Sequence, residues 1–432
     1  MMMPSINFKT FLDILVLSLI ILLISVMGGI GFDFAVGSKM ISLHSLKNIL
    51  VAAILFWFIR KAIDKEIKFQ KTDLDFPVLI YLITFISASI FSSQPKVSFL
   101  YFRDFLLHIG MAYLLINNID NKNKLEAILF ILIIAVLYSV SRGIYHHIKM
   151  QLSYWNRNYY SFGGRAEFGA VTVLLIPILI SFLMNYRKKT AASIFFILGL
   201  IILIMGLIIS YSRGSWIGFT GVFLFLIILN NRVLKNWKFF LLILLTVVLL
   251  YLILPASIKT RIISIANFKQ DSIGDRLPTW GSSLKMIKDF PFFGTGPGTY
   301  DVVVQKYKGV EVKEEWPRGW HAHNIFLHIA PENGIIGLVS FLIIIVISFR
   351  KCFELRNKIE DIKLKNLLDG IMLSLVGYFF CSQTTIFFAN HNKNEKISMF
   401  LWFNIALIFI IENIVKKQEE LNEGSVCFDH SP

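Results

Sequence analysis

The chain has 432 residues, of which 56% are hydrophobic and only 16% charged, with 40 Phe and a mean hydropathy of +0.66. That balance lies outside the range of soluble globular domains and points to repeated passage through a bilayer. The formal net charge of +15 would suggest nucleic acid in a soluble protein. In a membrane protein Lys and Arg gather in short cytoplasmic loops, so no nucleic-acid partner is expected. Cys352, Cys381 and Cys427 lie far apart, and no disulfide framework or cysteine metal site is implied.

The N-terminus has Lys9 as its one basic residue ahead of the first apolar run and no small-x-small site after it. It reads as a retained spanning helix rather than a cleaved signal peptide. A spanning helix needs about 20 largely apolar residues. By that measure, apolar runs predict about twelve helices. They cover 10–29, 46–60, 76–93, 98–116, 125–145, 166–186, 191–211, 214–230, 237–254, 333–349, 366–386 and 397–415. The expected fold class is an all-α polytopic integral membrane protein. Residues 1–254 would hold nine transmembrane helices, 255–332 one large extracytoplasmic loop with short helices, and 333–415 the last three helices. The remainder, 416–432, reads as a mobile cytoplasmic tail.

Basic residues follow every second helix. They include Arg60, Lys61, Lys65, Lys68 and Lys71, then Lys122 and Lys124, Arg187 to Lys189, Arg232, Lys235 and Lys238, and a group from Arg350 to Lys365. The alternate loops are poorer in Lys and Arg. This asymmetry predicts cytoplasmic termini and an outward-facing long loop. Two other outward segments stand out: the aromatic loop at 146–165 and the tight turn Tyr211-Ser212-Arg213-Gly214-Ser215-Trp216.

Inside the long loop, Pro278 to Phe290 has helical periodicity, with Trp280, Leu284 and Ile287 on one face beside Met286, and is expected as an amphipathic interfacial helix. Turns follow at Pro291 and from Gly294 to Gly298, and Asp301 to Lys308 predicts another short helix. His321, His323 and His328 cluster before the tenth run, with Glu332 close behind. His-x-His admits a metal reading, because an extended segment points both rings the same way.

His323 stands out by its company. Arg213, Arg276, Arg165 and Arg142 lie on the same outward side, and arginines near hydrocarbon usually face an interior cavity or an anionic partner. Snorkelling to lipid phosphates is the competing reading for Arg142 and Arg165. A His with several Arg suits a reaction whose leaving group is a lipid-linked pyrophosphate. Guanidinium forks stabilise the departing charge, and imidazole serves as general base to an incoming hydroxyl. No outward Asp-x-Asp pair offers a metal site, and no cofactor is expected. Trp280, Trp316 and Trp320 read first as interfacial anchors, with sugar stacking as the alternative.

His323-Asn324, nine residues, then Gly334-Ile335-Ile336-Gly337 resembles the His-Asn…Gly-x-x-Gly pattern of bacterial O-antigen ligases. Arg276-x-x-x-Trp280, Pro291-Phe-Phe-Gly-x-Gly296 and Ser212-Arg-Gly-x-Trp216 are similar to further features of the same superfamily, and together with about twelve helices and one large outward loop the resemblance covers nearly the whole chain. It implies a GT-C-like membrane glycosyltransferase of the inner membrane, with its site facing the periplasm. The implied activity is metal-independent, inverting transfer of a polysaccharide from undecaprenyl pyrophosphate to a sugar hydroxyl of lipid A-core. By position, His323 would be the base or acceptor-orienting residue and Arg213 and Arg276 the pyrophosphate ligands. Arg142, Arg165, His321, Asn324 and Trp280 are possible further members. Polymerases of O-antigen or exopolysaccharide share the donor and parts of these motifs. A transporter or flippase would instead show repeats and midplane charges.

Overall fold

The apolar runs become helices, and their ends are set by identifiable residues. A computed structural model describes residues 8–30, 33–36, 39–42, 46–63, 69–149, 162, 164–229, 256–263, 276–309, 316, 320–385, 387 and 395–428. The first eight helices are α1 (Phe8–Met27), α2 (Leu46–Ile63), α3 (Asp75–Ile90), α4 (Pro95–Asn118), α5 (Lys122–Lys149), α6 (Arg165–Tyr186), α7 (Thr190–Ile209) and α8 (Arg213–Leu229). After these come α9 (Ala256–Ile263), α10 (Arg276–Asp289), the single turn α11 (Tyr300–Val303) with a 3-10 turn Val304–Tyr307, α12 (Ile325–Lys358), α13 (Ile362–Cys381) and α14 (Glu395–Phe428).

Eight of the described helices are long and apolar enough to cross a membrane: α1, α4, α5, α6, α7, α12, α13 and α14. Helices α3 and α8 are apolar but shorter, and α2 carries Lys47, Arg60 and Lys61. The chain is therefore a polytopic helical protein. The ninth apolar run, 237–254, lies outside the described residues. One departure from the all-α expectation is a short antiparallel hairpin, β1 (Asp33–Val36) with β2 (Lys39–Ser42), pairing Asp33 with Ser42 and Val36 with Lys39.

Helix α6 is buried over most of its length against α5, α7, α8 and α13. Helix α14 is buried nearly throughout its apolar part, against α4, α12 and α13. These two central helices are apolar on all sides, as their surroundings require.

One expectation is corrected. Helix α12 begins at Ile325, eight residues before the apolar run, because Asn324 caps it: its Oδ1 accepts from Phe326 N and Leu327 N, both at 3.0 Å. The polar stretch after the last apolar run is helical, since α14 continues to Phe428. Its polar stretch is rich in the helix formers Lys, Gln and Glu, and Lys416 pairs with Glu412 one turn back at 2.9 Å. The amphipathic helix expected in the loop is α10, which packs its small polar residues inward. Thr279, Ser282, Ser283 and Met286 are buried while Leu284 is 59% exposed.

One end of the bundle is tied by ion pairs. Lys351 meets Asp73 at 2.7 Å and Glu412 at 3.0 Å, Arg356 meets Asp369 at 2.8 Å, and Lys122 pairs with Asp361. Helix α13 runs from Asp361, its N-cap, to the turn Ser382–Thr384. Its 20 residues span about 30 Å at 1.5 Å per residue. The long loop and the histidines sit at that far end.

Candidate active site

Ser212 Oγ caps α8 by accepting from Ser215 N at 3.2 Å, and Ser215 Oγ donates to Ser212 Oγ at 2.9 Å and to the Ala166 carbonyl at 3.3 Å. The start of α6, where Arg165 lies, is thus joined to the turn that carries Arg213. Trp216 Nε1 donates back to the Leu207 carbonyl at 2.9 Å. Tyr211 occupies the left-handed region (φ 49°), which lets the chain reverse between α7 and α8. Gly214 is required by contact, because a Cβ there would strike Thr384 Oγ1. Arg213 is therefore the first residue of a helix pressed against the turn after α13.

Arg276 opens α10, and its Nη2 donates to the Thr384 carbonyl at 3.2 Å. Its Nε is buried with no hydrogen-bond partner among the described residues, and no carboxylate there pairs with it. Burial pulls the guanidinium below its ordinary pKa, and the charge of Arg213 adds to the effect. A buried cation next to a second cation is costly, and Arg276, with its Nε unmet, is disposed to receive an anion.

His323 donates from Nδ1 to the same Thr384 carbonyl, at 3.3 Å. Its backbone lies in the left-handed region (φ 52°), unusual for a side chain of this size. The strained conformation is held from both sides. Asn324 Nδ2 donates to Gln383 Oε1 at 2.7 Å and Ile325 N donates to the Ser382 carbonyl at 3.0 Å. On the other flank Trp280 Nε1 donates to the Ala322 carbonyl at 2.8 Å. Burial drives the imidazole from its ordinary value down to about 3, helped by the nearby charges of His321 and Arg276 and opposed by the bond to Thr384. The ring is neutral at physiological pH. Because a carbonyl only accepts, the proton sits on Nδ1 and the lone pair on Nε2.

The loop that presents these groups is locked onto a break in α12. Gly334 adopts φ 71°, ψ 178° inside the helix, where a Cβ would strike the Phe292 carbonyl. The carbonyls freed by the break accept from Thr295 N (Pro331 O, 2.8 Å) and Gly296 N (Glu332 O, 3.0 Å), while Ile335 N donates to Pro291 O at 2.7 Å. The buried Glu332 carboxylate accepts from Tyr300 N at 3.0 Å and lies 3.5 Å from His328 Nε2. His328 is thus part of the packing below the loop.

The structure brings together His323, Arg276, Arg213 and His321, whose ring centroid is 4.2 Å from that of His323. Asn324 and Trp280 support them. Arg165 lies on an adjoining element. Arg142 is exposed on α5 and makes no hydrogen bond or ion pair among the described residues. Most of the aromatic loop at 146–165 lies outside the described residues. The tryptophans are loop struts. Trp316 is buried and stacks on Trp320 at 5.9 Å, Trp320 Nε1 donates to Thr279 Oγ1 at 3.2 Å, and the Trp320 ring stands edge-on 5.5 Å from His323. No group of three His, Cys, Asp or Glu able to hold a metal occurs among the described residues. Sequence reasoning missed the Gln383–Thr384 turn and the anchoring by Glu332. Neither has a local signal beyond polar residues at the end of an apolar run.

Fold and site together define a polytopic membrane protein with a His/Arg cluster at one end of its helical bundle, suited to an anionic substrate. Residues 198–342, from α7 into α12, match the family model described as O-Antigen ligase, which places this segment in the O-antigen ligase/polymerase superfamily of membrane glycosyltransferase-like enzymes. The chain is also 25% identical over 398 residues to an uncharacterized protein of Haemophilus influenzae, covering 84% of this chain and 97% of that protein.

Proposed function

We propose that this chain is an O-antigen ligase of the bacterial inner membrane, with both termini in the cytoplasm and the His323 site facing the periplasm. It transfers a polysaccharide from undecaprenyl pyrophosphate to a sugar hydroxyl of lipid A-core, without a metal and with inversion at the anomeric carbon. The observation that carries this reading is the meeting of His323 and Arg276 on the Thr384 carbonyl, beside Arg213.

In this reading the acceptor hydroxyl donates to His323 Nε2 as its oxygen attacks the anomeric carbon. The proton passes to the imidazole, the new C–O bond forms, and the bond to the pyrophosphate oxygen breaks with its electron pair. Arg213 and Arg276 hold the pyrophosphate and stabilise the charge that grows on it. As the bound anion offsets their positive charge, the His323 pKa rises and the base strengthens when the donor is in place. Attack from the face opposite the leaving group gives inversion.

Deleting the gene in its host and analysing surface glycolipid and lipid-linked pools tests the reading. Full-length polymer stranded on undecaprenyl pyrophosphate, with bare core at the surface, is the expected result. Core bearing a single repeat unit would mark a polymerase, and intermediates held on the cytoplasmic leaflet a flippase. In a purified system transfer should survive EDTA, and loss restored by zinc would overturn the metal-free chemistry.

A further inference from the structure

The turn after α10 leaves its largest apolar side chains outside. Phe290, Phe292 and Phe293 are exposed, Phe292 to 65%, and Phe91, at the end of α3 away from the ion pairs, is exposed to 69%. Phe91 and Phe293 stack, with ring centroids 5.5 Å apart and planes at 29°. The turn is seated on the break in α12. Ile335 N donates to the Pro291 carbonyl, and the Phe292 carbonyl lies so close to Gly334 that a Cβ there would strike it. The patch is therefore continuous with Ile335, Ile336 and Val339, the exposed apolar face of α12 just past the break. A contiguous apolar surface of this kind calls for a partner.

Height selects the partner. The hydrocarbon of a bilayer is about 30 Å thick and takes about 20 helical residues to cross. Helix α12 meets the ion-paired end at Arg350 and Lys351, and about 20 residues back from there lies Ala330 rather than Gly334. The break thus falls about 6 Å inside the hydrocarbon. Helix α3 gives the same depth from the other side of the stack. It starts at Asp75, beside the Asp73–Lys351 pair, and its 16 residues span about 24 Å. Phe91 is left about 6 Å short of the far boundary. Tilt of either helix only deepens these positions, since it shortens the height covered per residue. Irregular backbone at such depth persists only where its polar groups are met within the protein. Here Thr295 N and Gly296 N donate to the Pro331 and Glu332 carbonyls freed by the break, at 2.8 Å and 3.0 Å. The tip carries Phe alone, with no Tyr hydroxyl or Trp N–H to be wetted, which suits hydrocarbon rather than headgroups.

We propose that Phe91, Phe290, Phe292 and Phe293 form a wedge inserted among lipid acyl chains, at the edge of the leaflet opposite the ion-paired end. The loop that carries Arg276 is thereby held against the bilayer by its own turn instead of standing free of it. This insertion requires only that α3 and α12 cross the membrane, and is independent of the chemistry at His323.

Spin labels on single cysteines test it, in a full-length chain carrying Cys352→Ala, Cys381→Ala and Cys427→Ala and reconstituted alone in phospholipid nanodiscs. Collision rates with oxygen, which concentrates in hydrocarbon, and with a water-soluble nickel chelate report depth. Phe292→Cys should show an oxygen-to-nickel ratio several-fold above that of Lys285→Cys, on the exposed charged side of α10. The ratio should approach that of Val339→Cys, on the exposed face of α12. A ratio equal to that of Lys285→Cys would overturn the proposal by placing the tip in water. Slow collisions with both reagents would also overturn it, by marking a surface covered by protein, a second copy of the chain included. The unaltered protein, photolabelled in the same nanodiscs by a phosphatidylcholine with a diazirine in its acyl chain, gives a second reading that needs no substitution. Peptides containing Phe91 and Phe290 to Phe293 should carry the label, and their absence from the labelled set would sink the insertion.

Discussion

At the residue scale the site depends on a neutral His323 between cations. In the donor-free protein its pKa lies at about 3, far under the ordinary value near 6.5. In the proposed reaction its neutral form is the base, so kcat/KM should stay flat as pH falls through 6.5. Removing a neighbouring cation with Arg276→Gln lifts one of the charges that depress it. The acidic limb should then move up toward 6.5, on top of a loss of rate, and a pH profile of transfer by both proteins checks this. His323→Ala should lower kcat about 10² to 10⁴-fold, the range of a general base; unchanged transfer would remove His323 from the chemistry.

Gly214 tests the meeting of the three segments. A methyl group there collides with Thr384 Oγ1, whose main-chain carbonyl is shared by His323 and Arg276. Gly214→Ala should impair transfer at least tenfold, since small displacements of positioned groups cost that much or more. Combining it with Thr384→Ala, which removes the colliding hydroxyl and keeps the main-chain carbonyl, should recover part of the loss.

At the scale of single elements, the His-Asn…Gly-x-x-Gly spacing has a physical meaning. Asn324 caps α12 and Gly334 breaks it, and the turn sequence from Pro291 to Gly296 hydrogen-bonds across the break. Asn324→Asp keeps the cap but replaces the Nδ2 donor to Gln383, putting a carboxylate against Gln383 Oε1. It should therefore preserve helix stability and still weaken transfer. Asn324→Ala should lose both, with the cap worth about 1 kcal/mol. Gly334→Ala combines positive φ with a clash at the Phe292 carbonyl and should destabilise by more than about 1 kcal/mol. Thermal melting of the purified variants separates these outcomes from catalytic loss.

At the scale of the whole molecule, α13 holds the ion-paired end and the His323 end about 30 Å apart, from its length and rise. If the basic end stays in the cytoplasm, an impermeant maleimide applied to intact cells should label Lys285→Cys on α10 and spare Glu360→Cys between α12 and α13. The reverse pattern would invert the proposed topology. The helical class and most helix positions were legible in the chain, because a run of about 20 apolar residues has few options other than a buried or membrane-spanning helix. His323, Arg213 and Arg276 were legible as candidates because their residue types match an anionic leaving group. The glycines at 294, 296 and 334 were marked locally as turn and motif residues, whereas the caps at Ser212 and Asn324 emerged only with the structure.

What the linear order does not carry is meeting in space. Arg213, Arg276, His323 and Thr384 come from four segments scattered between 213 and 384, and only helix packing brings His323 and Arg276 to the Thr384 carbonyl with Arg213 near Arg276. The same holds for the tautomer and depressed basicity of His323, which depend first on burial, on its neighbour His321, and on Arg276 and the Thr384 carbonyl from distant segments. It holds for the inward face of α10, where small polar residues pack closely and Leu284 is left outside. The chain alone determined a helical, polytopic protein and offered His and Arg residues as candidates for its site. The tertiary structure decided which of those residues share a site, because long-range contacts, not local periodicity, set their distances and their charge.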